Sequence, residues 1–179
     1  LSSFRAALLG GGLLRLSLGA TPFLLPIMLQ TGFGWAPSNA GLVMLWAASG
    51  AIVGRLVAVR IIEWMGFRLL LVVSAALAGM IVMVPGSYTI ATPSLFIFSI
   101  AMATNMLFTT HYAASNALIF AEVPDGLTNA ALTLSVVFQQ ITQSLGISVG
   151  ALVLYLSVQN SGGEILPTSF FMPFLVLGS

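Results

Sequence analysis

Long apolar stretches alternate with short polar turns along this chain. A membrane-spanning helix needs about 20 apolar residues, and stretches of that length recur between Gly- and Pro-containing breaks. The pattern therefore predicts an all-α integral membrane fold with five complete helices and the start of a sixth. The predicted helices, A to F, cover 6–30, 39–59, 68–86, 94–118, 129–158 and 168–179.

Composition agrees with a lipid environment. Hydrophobic residues make up 59% of the 179 residues and charged residues only 5%, whereas a soluble domain carries about a quarter charged residues. The net charge of +1 leaves no basic surface for phosphates, so nucleic acid is excluded as a partner. The sequence has no Cys and no His or carboxylate cluster with metal-ligand spacing. We therefore expect no metal and no cofactor.

The distribution of Arg predicts the orientation in the membrane. Arg5 precedes helix A, and Arg60 and Arg68 flank the turn between B and C. The predicted A–B, C–D and E–F turns contain no Lys or Arg. Short cytoplasmic loops keep such residues, so the N-terminus of the chain is expected inside a multi-pass cell-membrane protein.

Two helices carry glycines at a spacing that permits close helix contacts. Helix B has Gly50 and Gly54, and helix E has Gly146 and Gly150. Glycines four residues apart let two backbones approach, so each pair is predicted to form a packing face.

The segment around Ser148 also matches the Gly-x-Ser-x-Gly pattern of serine hydrolases. With His111, it raises the alternative of an intramembrane protease. From the predicted helix ends, His111 lies roughly 10 Å and Ser148 roughly 28 Å from the inner surface. A catalytic pair must come within about 3 Å, so the chain is not expected to be an enzyme and no catalytic residue is assigned.

Helix E carries a polar stripe at spacings of three and four residues. Lipid cannot satisfy these groups, so the stripe must face protein or water. It either forms hydrogen bonds to a neighbouring helix or lines a path across the membrane. The stripe consists of Ser135, Gln139, Thr142 and Gln143, with Gln140 and Ser144 beside it.

The turn after helix B resembles a degraded copy of the loop signature of the major facilitator superfamily, a Gly followed by Asp-Arg-x-Gly-Arg-Arg. Glu63 stands for the Asp, and Gly66 and Arg68 fit the pattern. Three positions depart from it, namely Val59, Trp64 and Phe67.

A longer resemblance covers nearly the whole chain. Its motifs are Arg15 before 22–30 (PFLLPIMLQ), 116–118 (NAL) before 122–125 (EVPD), and 139–140 (QQ) before 144–146 (SLG). Together they resemble the drug:proton antiporter branch with fourteen helices. The resemblance implies a six-helix half of a major facilitator-type bundle. Helices A and D would border the central cavity, B and E would meet the opposite half, and C and F would face lipid. The glycine faces of B and E fit this assignment.

The resemblance implies proton-coupled export of drugs or other small molecules by alternating access. The expected partners are a small-molecule substrate, protons, membrane lipids and a missing N-terminal half of the same transporter. Two other functions remain open. One is a major facilitator symporter for a metabolite or sugar, and the other is a membrane scaffold that transports nothing.

Polar residues within the spans are the candidates for a substrate or proton pathway. Only 14 residues separate Arg15 from Gln30, about 21 Å against a hydrocarbon core near 30 Å, so Arg15 is expected inside the membrane. All four carboxylates fall in predicted turns, so the proton carrier is expected mainly in the missing half. The candidate pathway residues are Arg15, Asn105, His111, Asn116, Gln139 and Gln143.

Overall fold

In the computed structural model, residues 16–122 and 128–178 are described, with side chains over 16–117 and 133–178. Helix α1 is helical over 16–27 and continues into a π-helical turn, Met28–Gly32. A short 3₁₀ turn, Val84–Ser87, follows α3, and another, Pro167–Phe170, precedes α6. The remaining helices are α2 (Pro37–Met65), α3 (Phe67–Met83), α4 (Ser94–Glu122), α5 (Thr128–Asn160) and α6 (Phe171–Gly178).

Four of the described helical segments are long and apolar enough to cross a membrane. They also expose large apolar side chains such as Leu45, Leu56 and Leu95, which are 71–76% exposed. Lipid is the solvent that tolerates such surfaces. The predicted all-α integral membrane fold is therefore confirmed, and the chain is a multi-pass membrane protein. The four segments are Pro37–Met65, Phe67–Ser87, Ser94–Ala117 and Thr133–Asn160.

The connection between α2 and α3 is much shorter than the predicted turn. Helix α2 continues to Met65 instead of ending at 59, and α3 begins at Phe67. The reversal is concentrated at Gly66, whose φ of 75° lies in a region that side chains with a Cβ rarely adopt. Glu63 therefore lies in the last turn of a helix and not in a loop. Glu122, also expected in a turn, is likewise helical.

Close backbone contacts at glycine residues join α2 to α4 and α5 to α1. A Cβ at Gly50 would lie 2.1 Å from the carbonyl oxygen of Met102, so α2 and α4 touch backbone to backbone. A Cβ at Gly146 would lie 2.0 Å from the carbonyl oxygen of Leu16, which brings α5 equally close to α1. The sequence analysis took these faces to meet the opposite half. The structure shows α4 and α1 of the same chain on these faces, so the glycine faces form packing faces as predicted but give no support to a contact with the opposite half.

Helix α6 packs against α3 and α5. Phe170 and Phe174 are fully buried in this region. A Cβ at Gly79 of α3 would lie 2.8 Å from the carbonyl oxygen of Gly178 of α6. The other faces of α3 and α6 expose apolar side chains. This packing leaves α1 and α4 to form the walls of the cavity described next.

Candidate functional site

A cavity of about 190 Å³ lies between α1, α2, α4 and the C-terminal end of α3. Its wall is mostly apolar and includes Leu25, Met44 and Phe108. Pro22 and Ala48 line it and are exposed, so the cavity opens on the side of α1 and α2. Its polar lining residues are Thr21, Tyr88, Thr104 and Asn105. An apolar pocket with a few polar groups is typical of small-molecule sites.

Helix α1 contains two prolines in the stretch that borders the cavity, and a π-helical turn follows this stretch. Pro22 and Pro26 both lie within it, and a proline has no N–H to continue the helical hydrogen bonds. Farther out, the N–H of Phe33 donates to the carbonyl of Met28, five residues earlier, at 3.1 Å. Such π-turns are frequent at functional sites in helices. The cavity wall on this side therefore belongs to an α-helical stretch, 16–27, that contains two prolines and is followed by a π-helical turn.

Three of the polar side chains in the cavity wall each donate a hydrogen bond to a backbone carbonyl of their own helix. The hydroxyl of Thr21 donates to the carbonyl of Ser17 at 2.7 Å, and that of Thr104 to the carbonyl of Ile100 at 2.7 Å. The amide of Asn105 donates to the carbonyl of Ala101 at 3.2 Å. Of the predicted pathway residues with described side chains, Asn105 is the one that lines this cavity.

Tyr88 lines the cavity beyond the C-terminal end of α3. Its ring is 5% exposed and meets the edge of Phe96, with the ring centroids 6.1 Å apart. Burial raises the pKa of the Tyr88 hydroxyl above its ordinary value. The hydroxyl therefore stays protonated at physiological pH and adds no charge to the cavity.

His111, a predicted pathway residue, contacts α3. It is 9% exposed, and its Nδ1 lies 2.8 Å from the hydroxyl of Ser74. It is absent from the lining of the cavity. Ser148, its proposed partner in the protease alternative, donates to the carbonyl of Ser144 on the exposed face of α5. The structure thus gives His111 and Ser148 different partners.

The polar stripe of α5 is divided by the packing. Gln139 is 6% exposed and accepts a hydrogen bond from the hydroxyl of Tyr112 on α4. Ser135 and Thr142 are also buried, whereas Gln140 and Ser144 are exposed. One part of the stripe therefore faces the helices of this chain, and the other part lies on the outer surface of α5.

The remaining predicted site residues do not gather at the cavity. Gln143 is half-buried beside α1, where a Cβ at Gly19 would lie 2.3 Å from its carbonyl oxygen. Asn116 is half-buried in the C-terminal part of α4. Arg15 lies outside the described residues. In the loop signature, Glu63, Gly66 and Arg68 are all exposed.

Sequence analysis missed several residues that shape the site. Thr21, Thr104 and Tyr88 line the cavity, and Ser74 binds His111. Isolated hydroxyls in apolar helices carry no signal beyond their polarity, so only the distortion signalled by Pro22 and Pro26 could have drawn attention to this wall. Arg55 was also overlooked. It lies on the exposed surface of α2, within the range predicted for helix B.

These features define an all-α, multi-pass membrane protein with a cavity of small-molecule character between its helices. Comparison with known proteins narrows this class. The chain is 29% identical over 159 residues to the protein named "Putative multidrug resistance protein MdtD" of Enterobacter sp. (strain 638), covering 86% of this chain and 32% of that relative. It is 30% identical over 155 residues to the protein of the same name from Pectobacterium atrosepticum, covering 85% and 33%.

A third protein of that name, from Pectobacterium carotovorum, is 28% identical over 152 residues, again covering 85% of this chain and 33% of the relative. The chain thus spans about a third of the length of the curated relatives it matches. It matches no protein-family profile and no solved structure. The similarity to these multidrug resistance proteins confirms the resemblance to drug transporters that the sequence motifs indicated.

Proposed function

We propose that this chain forms the C-terminal six-helix half of a proton-coupled exporter of the major facilitator superfamily. The cargo would be drugs or other small molecules, moved by alternating access. The multidrug resistance proteins to which the chain is similar support this function. Because the chain spans about a third of those relatives, further helices would complete the transporter.

The observation that carries the proposal is the cavity between α1 and α4. These are the two helices that the family resemblance assigns to the central pathway. A pocket for a drug-sized molecule measures about 300–1,000 Å³, and this cavity measures about 190 Å³. A cavity of this size fits one wall of a substrate site that the opposite half would enlarge.

Further polar residues would extend the pathway towards the inner surface. Arg15 precedes the cavity-lining residues Leu18 and Pro22 by three and seven positions, a spacing that places helical residues on one face. Asn105 lines the cavity itself. Asn116, Gln139 and Gln143 would serve the inner part of the pathway.

We further propose that the N-terminal side of α1 is cytoplasmic. The positive charges of Arg60 and Arg68 lie on either side of Gly66, the turn on that side of the membrane. Among the described cavity-lining residues there is no carboxylate. Buried carboxylates are common proton relays, so proton coupling would reside mainly in the opposite half.

The test is efflux by the full-length protein in bacteria that lack their own major exporters. Cells that make it should accumulate less of a fluorescent amphipathic drug than cells that do not, and collapse of the pH gradient should abolish the difference. Asn105→Leu should weaken export at normal protein level, because Asn105 lines the cavity. Asn39→Ala, at the exposed start of α2, is the matched control. Equal accumulation with and without the protein, across a broad drug panel, would contradict the proposal.

A further inference from the structure

The side chains of the cavity wall present mainly hydrogen-bond acceptors. Thr21 and Thr104 each donate their hydroxyl hydrogen to a carbonyl four residues earlier in the helix. The oxygen atoms of both hydroxyls keep lone pairs for another partner. Asn105 donates one N–H to Ala101 and keeps its carbonyl oxygen, which is also an acceptor.

The two prolines of α1 add backbone acceptors to the same wall. In an α-helix the carbonyl of each residue receives the N–H of the residue four positions later. For Leu18 that later residue is Pro22, and for Pro22 it is Pro26, and neither proline has an N–H. Leu18 and Pro22 both line the cavity. Their carbonyl groups therefore lack the usual helical donor at a site where a ligand could supply one.

Donors are fewer in this wall. Asn105 keeps a second N–H, and Tyr88 keeps its hydroxyl hydrogen. No Arg, Lys, Asp or Glu occurs among the described lining residues. A bound ligand would exclude water from these acceptors, and an acceptor left without a donor is then costly, so a ligand that brings N–H groups would satisfy this wall better than a ligand that brings only acceptors.

We propose that this cavity binds an apolar molecule through a hydrogen-bond-donating amine or ammonium group. This inference rests on the proposed export function, since it names the substrate class of the same site. A primary ammonium carries three N–H donors for the oxygens of Thr21, Thr104 and the α1 backbone. A carboxylate brings only acceptors, and a quaternary ammonium brings charge without any N–H.

Three ligands with one aromatic body test the proposal on the purified full-length transporter. The first carries a primary ammonium, the second a trimethylammonium and the third a carboxylate. We expect the primary ammonium to bind roughly tenfold or more tightly than either of the others, because it alone donates N–H bonds. Equal binding of the trimethylammonium compound would overturn the inference. Tighter binding of the carboxylate would also overturn it and would indicate that Arg15 governs the site.

Two variants connect that preference to the cavity. Thr104→Val removes one acceptor with little change of shape, and Pro22→Ala restores an N–H for the carbonyl of Leu18. Each should reduce the preference for the primary ammonium about three- to tenfold. Thr142→Val is the matched control, because Thr142 is buried on α5, makes the same type of bond to the carbonyl of Phe138 at 2.7 Å, and lies outside the cavity. A preference unchanged by both cavity variants would overturn the assignment to this cavity.

The results also separate this inference from the proposed function. Export of several drugs with no preference for N–H donors would contradict the inference and leave export standing. Absence of export and of binding for every compound would contradict both.

Discussion

The Nδ1 atom of His111 lies 2.8 Å from the Oγ atom of Ser74, and this hydrogen bond joins α4 to α3. Both residues are buried, with 9% and 2% of their surface exposed. A hydrogen bond between membrane helices contributes about 0.6 kcal/mol on average. His111 therefore contributes to the packing of α3 against α4.

From this contact we predict that His111→Gln in the full-length protein retains export driven by a pH gradient. The Gln amide can still form a hydrogen bond with Ser74, so the packing of α3 on α4 should change little. Drug uptake into inside-out vesicles, measured with and without an imposed pH gradient, checks this. Loss of the response to the gradient with substrate binding intact would show that His111 carries the coupling.

The contact between α2 and α4 predicts a sharp difference between two glycines of α2. A Cβ at Gly50 would lie 2.1 Å from the carbonyl oxygen of Met102, whereas a Cβ at Gly41 would meet nothing within 4 Å. Gly50→Ala must push the helices apart and should destabilise the protein by about 1–3 kcal/mol. Gly41→Ala should cost nothing, because Ala favours helix. Thermal unfolding in detergent compares the two, and equal stability would argue against the close contact.

Introduced cysteines test the proposed orientation, and the absence of native cysteine in this chain removes background from its own residues. Ser38→Cys and Ser161→Cys place thiols at exposed positions near the proposed outer ends of α2 and α5. Both should react with an impermeant thiol reagent added to intact cells. Gly126→Cys, on the proposed cytoplasmic side, should react only after the membrane is opened. Labelling of position 126 alone in intact cells would invert the orientation.

Arg15→Leu should reduce export while leaving membrane insertion intact. Removal of a charge from a hydrophobic span makes insertion easier, so lower activity would not result from failed insertion. The proposed role of Arg15 in the pathway predicts that export falls even at equal protein level. Drug accumulation, normalised to the amount of protein in the membrane, is the measurement. Export at the unmodified rate would exclude Arg15 from the pathway.

The sequence alone determined the class and the transmembrane segments. Runs of about 20 apolar residues indicate membrane-spanning helices, because lipid requires every backbone N–H and C=O to be hydrogen-bonded within the helix. Similarly, a proline such as Pro22 removes a helical hydrogen bond wherever the helix packs, so the missing N–H groups of α1 were already encoded locally. The resemblance to drug transporters also depended on local motifs, which are read along the chain.

Only the tertiary structure decided which face of each helix meets which neighbour. Gly50 and Gly146 signalled close packing, but the spacing could not distinguish α4 and α1 of the same chain from an opposite half. Likewise, a polar residue in a membrane span needs a hydrogen-bond partner, yet the sequence does not specify which residue that partner is. His111 bonds to Ser74, 37 residues away, whereas Asn105 reaches the cavity. The rotation and neighbours of a helix depend on side chains from distant parts of the chain, so periodicity within one helix cannot specify them.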